Sequence, residues 1–61
     1  MQRQATRREV IRYYNNRHCH CHILDDGTVL FRRHTANQWS RGFRMEDYRI
    51  ENQRLIMKEW N

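Results

Sequence analysis

The densest chemistry in this chain is the string His18-Cys19-His20-Cys21-His22, with His34 further on. Thiolate and imidazole both bind zinc, and an imidazole titrating near neutrality can also give or take a proton. Structural zinc sites space a first pair as C-x2–4-C and add a second pair downstream. Here the cysteines are one residue apart, and no second CxxC or HxxxH follows. If the string is a strand, alternation puts Cys19 and Cys21 on one face and the histidines on the other. Only one face could then hold a metal, for example His18 or His20 with His34. No cofactor is expected, and zinc at these histidines is the minor reading. Cys21 reads as a small core residue, with Cys19 nearer the rim. So close a pair of cysteines cannot close a useful structural loop, so no disulfide scaffold is expected, and no transmembrane or export signal contradicts a reducing compartment.

The second chemical signal is arginine. Lys and Arg together number 12, and all but Lys58 are Arg. Residues 1–44 hold nine arginines against Glu9, Asp25 and Asp26, a net +6. Residues 45–61 hold Arg49, Arg54 and Lys58 against Glu46, Asp47, Glu51 and Glu59, a net −1. The front of the chain therefore carries the field, and such a field concentrates polyanions and speeds encounter. The guanidinium fork matches phosphate and carboxylate and stacks on rings, which an ammonium does not.

These groups need elements to position them. Thr6-Arg7-Arg8-Glu9 has the form of a capping box, with Glu9 at N3. Val10, Ile11 and Tyr14 follow at helical spacing, so a helix is predicted from about residue 7 to 16. Arg7 and Arg8 fall at its positive end, where an anion would offset their repulsion from the helix dipole.

Asp25-Asp26-Gly27 separates two strand-like runs, Cys19 to Leu24 and Thr28 to Arg33. Glycine in the third loop position suits a type I turn followed by a bulge. That register pairs His22 with Leu30, His20 with Arg32, and His18 with His34. The opposite face carries Cys19, Cys21, Ile23, Val29, Phe31 and Arg33 and is expected to be the core side. A slip of one residue would mix the two sets.

In the run Gln38 to Phe43, Trp39, Arg41 and Phe43 alternate with polar partners, as a third short strand entered by a turn at Thr35-Ala36-Asn37 would. The rival is an irregular loop with Trp39 and Phe43 under the sheet. Residues 46–60 lack Gly and Pro and are rich in helix formers. Met45, Tyr48, Leu55, Ile56 and Trp60 share one helical face, which predicts a second helix. Ile50 and Met57 fall off that face and favour the rival, a hairpin turning at Asn52.

The expected fold is thus one α+β domain spanning residues 1–61. A small antiparallel sheet, the hairpin plus a short third strand, packs against an N-terminal and a C-terminal helix. Its core would use Val10, Ile11, Tyr14, Cys21, Ile23, Val29, Phe31, Trp39, Phe43, Tyr48, Leu55, Ile56 and Trp60. Hydrophobic residues are only 38% of the chain, so this core is thin, and a homodimer through Leu24 and Leu30 or the last helix would reinforce it. No apolar run is long enough to cross a membrane, and the first residues lack a secretory h-region, so a cytoplasmic protein is expected.

Three functions compete for these residues. The first is a small regulatory protein that binds nucleic acid through Arg7, Arg8, Arg12, His20, His22, Arg32, Arg33, His34, Arg41 and Arg44. Its arginines would grip phosphates, and Tyr13 or Trp39 could stack on bases. No helix-turn-helix pattern and no aromatic strand signature of an RNA-recognition module is present. The second is an inhibitor or adaptor that seats on an acidic protein surface, using the Arg, Tyr and Trp of interface hot spots. The third is a metal-independent ribonuclease with His20 beside Arg32, or His18 beside His34, as its acid–base pair. Asp25 and Asp26 lie at the far tip of the hairpin and cannot orient those rings. Binding is therefore favoured over catalysis.

Overall fold

The computed structural model describes residues 1–57, and its first regular element begins at the second residue. Strand β1 spans Gln2–Gln4 and leads into helix α1, Arg7–Asn15. The capping box forms as the sequence predicts. Glu9 donates its amide to Thr6 Oγ1 at 3.2 Å, and Thr6 donates its amide to Glu9 Oε1 at 2.9 Å. Arg3 then grips the same carboxylate with two bonds, at 2.9 and 2.6 Å. The helix buries Val10 and Tyr14. It stops because Asn16, Arg17 and His18 return their amides to the carbonyls of Arg12, Tyr14 and Asn15, and His18 turns left-handed at φ 61°.

Strands β2, Cys19–Ile23, and β3, Thr28–Arg33, form the hairpin in the predicted register. The amide of Gly27 reaches Leu24 O at 3.0 Å, and Gly27 takes φ 93°, a conformation a β-carbon would strain. Asp26 Oδ1 accepts the Thr28 amide at 2.9 Å and closes the turn. Strand β4, Ser40–Arg44, adds to the other edge of β3. Leu30 faces Arg41 and Thr28 faces Arg44, so Gly42 and Phe43 together oppose Val29 in a β-bulge.

The chain departs from expectation beyond this point. A 3₁₀ turn at Met45–Asp47 is followed by strands β5, Tyr48–Glu51, and β6, Arg54–Met57, instead of a second helix. The domain is a one-helix α+β fold with two three-stranded antiparallel sheets, ordered β1-β5-β6 and β2-β3-β4. The sheet packed between two helices is thereby corrected. Residues 58–60 of the expected helix, Trp60 among them, lie outside the described residues.

The physical reason lies in the pattern that residues 48–57 bury. Tyr48, Ile50, Leu55 and Met57 all contribute to the core, and they share one face of the β5–β6 ladder. A helix would have left Ile50 and Met57 off its apolar stripe. Asn52 at φ 52° and Gln53 at φ 65° supply the two positive φ angles of a type I′ hairpin turn. Strand β1, unseen in the sequence reading, pairs along the free edge of β5, and Ala5 donates its amide to Tyr48 O at 3.1 Å.

The core joins both sheets and the helix through Ala5, Val10, Tyr14, Cys19, Ile23, Val29 and Tyr48. At its centre the Tyr14 and Tyr48 hydroxyls bond at 2.7 Å, and the Tyr14 ring stacks on Phe31 with centroids 4.9 Å apart. Three expected core positions differ, and Cys19 joins the core unexpectedly. Trp39 is 47% exposed; it sits in the turn before β4, on the outer side of the sheet with Arg32. Ile56 faces away from the core, beside its pairing partner Arg49. Cys19 is buried and Cys21 only half-buried, the reverse of the expected order, because α1 closes over the start of β2.

Candidate functional site

The central sheet, β2-β3-β4, divides the candidate residues between two faces. Its outer face carries His20, His22 and Arg32 on neighbouring strands, with His34 just past the end of β3. The His20 and His34 rings lie 4.3 Å apart at a 36° tilt, and the His18 ring is 6.4 Å from His34. Arg32 is held in place by a 2.6 Å bond to Ala36 O, and its guanidinium sits 5.3 Å from the centre of the Trp39 ring. The His20 pKa is lowered, first by desolvation and then by the positive neighbours His34 and Arg32. The cationic neighbours raise the cost of charging the His20 ring.

Among the described residues no group of three or more His, Cys, Asp and Glu side chains converges as a metal site. The cysteines lie on the face away from the histidines. Burial pushes the Cys21 thiol up to about 11, and Cys19 Sγ turns to Arg17 O at 3.5 Å.

The inner face ends in a groove of about 620 Å³ between the C-terminal end of α1, β3 and β4. Tyr13, Phe31 and Phe43 give it aromatic walls, Arg17 and Arg33 stand around it, and among the described residues no acidic side chain lines it. The Arg17 guanidinium lies 3.7 Å from the centre of the Tyr13 ring and donates to Tyr13 O at 3.2 Å. Arg17 was not among the expected site residues, although Tyr13 and Arg17 stand four apart at the helix end, a spacing that brings ring and guanidinium together.

The remaining arginines are dispersed. Arg7, Arg8 and Arg12 are exposed on α1, which packs on the inner side of the sheet, so the fold does not bring them onto the histidine face. Arg44 is occupied: its guanidinium bonds Asp26 O and comes within 3.9 Å of Glu46. Among the described residues the ion pairs are Arg3–Glu9 and Arg44–Glu46. Arg7, Arg8, Arg12, Arg17, Arg32, Arg33 and Arg41 therefore have no carboxylate within 4.0 Å there. The acids gather elsewhere, where Glu46, Asp47 and Glu51 line a polar recess of the β1-β5-β6 sheet with Arg49.

Comparison of the chain with protein-family models, with curated proteins and with solved structures found no match.

Proposed function

We propose that this domain is a small basic regulatory protein that binds nucleic acid through the arginines and histidines of the β2-β3-β4 sheet. One observation carries the reading. Arg32, Arg33 and Arg41 on the β2-β3-β4 sheet, spread over its two faces, and Arg17 in the turn before it have no carboxylate partner among the described residues, while Glu46, Asp47 and Glu51 gather on the other sheet. A surface built for solubility alone intersperses its signs. A surface that leaves arginines unpaired keeps their forks for phosphate.

Binding to an acidic protein surface is the second reading, favoured by the exposed Trp39 beside Arg32. Salt separates the two. Four arginine–phosphate contacts on a single strand give a slope of log K against log salt of about −2.8, so affinity falls ~50-fold between 50 and 200 mM salt. Fluorescence anisotropy with a labelled oligonucleotide measures this. Joint charge reversal, Arg32→Glu with Arg33→Glu, is expected to abolish binding in a protein that still melts cooperatively. An affinity flat across that salt range, or unaltered in the reversed variant, overturns the proposal. A salt-insensitive complex lost on Trp39→Ala would instead support the protein partner.

A further inference from the structure

We infer that the arginine-rimmed groove on the inner face is a slot for an unpaired base of single-stranded nucleic acid. The inference rests on the nucleic-acid reading and narrows it to one strand form. Three properties of the groove select this occupant. Its volume, about 620 Å³, lies within the roughly 300–1,000 Å³ of sites that enclose small ligands. Its walls are aromatic: Phe43, Phe31, which stacks on Tyr14 with one face, and Tyr13, which carries the Arg17 guanidinium on one face. Its rim is cationic, with Arg17 from the turn after α1 and Arg33 from β3.

An apolar peptide side chain would match the walls but waste the rim. A free anion would match the rim but not the walls. A nucleotide joins a flat π-system to a phosphate and satisfies both. In a duplex each base is already stacked and paired, so it could enter only after being pulled out at a cost of several tenfold steps in affinity. A single strand presents its bases ready to stack, and the backbone then runs outward past Arg33. From there it can continue around the edge of β2 towards His34 and His20, whose rings flank the same end of the sheet.

The test compares a single-stranded oligonucleotide with a blunt duplex of equal length, at fixed salt, in the full chain. The wild type is expected to prefer the single strand by at least tenfold. Loss of one stacking partner costs ~5- to 150-fold in affinity. Tyr13→Leu and Phe43→Leu, which keep apolar volume but remove the ring, should therefore weaken single-strand binding by that factor and leave duplex binding unchanged. Tyr13→Phe should restore it. A 2-aminopurine base in the strand should lose fluorescence on binding to the wild type and keep it with the leucine variants. If a variant does not fold, the wild-type comparison of strand against duplex and the 2-aminopurine signal still decide. Equal, salt-sensitive binding of strand and duplex, with no 2-aminopurine change, overturns the slot while leaving nucleic-acid binding intact. No salt-sensitive binding to either overturns the broader reading.

Discussion

Adding one methyl group at Gly42 tests the packing that holds the arginine-bearing strands together. A β-carbon there would meet the Tyr48 hydroxyl at 3.0 Å, the Tyr14 hydroxyl at 3.1 Å and Val29 O at 3.4 Å. None of these can retreat cheaply. Tyr48 is fully buried, its hydroxyl is 2.7 Å from that of Tyr14, and Val29 O belongs to the central strand of the sheet. Overpacking of this kind costs about 1–3 kcal/mol. Replacing glycine recovers about 0.4–1 kcal/mol from the unfolded chain, leaving Gly42→Ala destabilised by roughly 1–2 kcal/mol. At ~4–8 °C per kcal/mol in a domain of this size, Tm should drop by about 5–15 °C, read by circular dichroism or calorimetry. Tyr14→Phe removes one of the obstructing oxygens at the cost of a buried hydrogen bond, ~1 kcal/mol. In the double variant the two costs should not add; the alanine should cost ~0.5–2 kcal/mol less than it does alone. If Gly42→Ala melts at or above the wild type, or if the two costs sum, the close approach of β4 to the tyrosine pair is not what holds the bulge. The consequence reaches the site, because the same bulge sets Phe43 at the groove.

Three further outcomes follow from the charge and hydrogen-bond geometry. Affinity for a polyanion at fixed salt should rise as pH falls from 8 to 6, because an anion beside His20 offsets the repulsion from His34 and Arg32 and so draws a proton onto the ring; equal affinity at both pH values would remove the histidines from the interface. The Glu9 carboxyl is held down to about 2, chiefly by its bonds from Arg3 and from the Thr6 amide, so its contribution is present above the ordinary carboxylate pKa and is lost as pH falls toward 2; Tm should fall over that window, and more in the wild type than in Glu9→Gln. With its thiol pushed up to about 11, Cys21 should react with iodoacetamide at pH 8 roughly a hundredfold more slowly in the native chain than in the unfolded one, as followed by mass spectrometry, and comparable rates would contradict its placement.

The features legible in the sequence are those closed by neighbours a few residues away. Thr6 and Glu9 start the helix because each supplies what the other's backbone lacks within one turn. Asp26 and Gly27 reverse the chain because a side-chain acceptor and a positive φ suffice for that turn. With the reversal placed, strand alternation puts His20 opposite Arg32 and sends the cysteines to the other face. The segregation of charge along the chain was equally plain, since it needs only the order of the residues.

Tertiary structure decided what depends on distant partners. Residues 48–57 have helical composition, yet they pair as strands because β1 supplies an edge for β5 and Tyr14 a hydrogen bond for Tyr48, both from the far end of the chain. Local propensity differs by tenths of a kcal/mol per residue and yields to such burial. The site divided for the same reason. Arg32 and Arg33 are adjacent in sequence, but strand geometry turns one to the histidines and the other to the groove, and only the packing of α1 and β4 makes that groove. Composition could supply the arginines; which of them would stand together without a carboxylate was settled when the two sheets closed on one core.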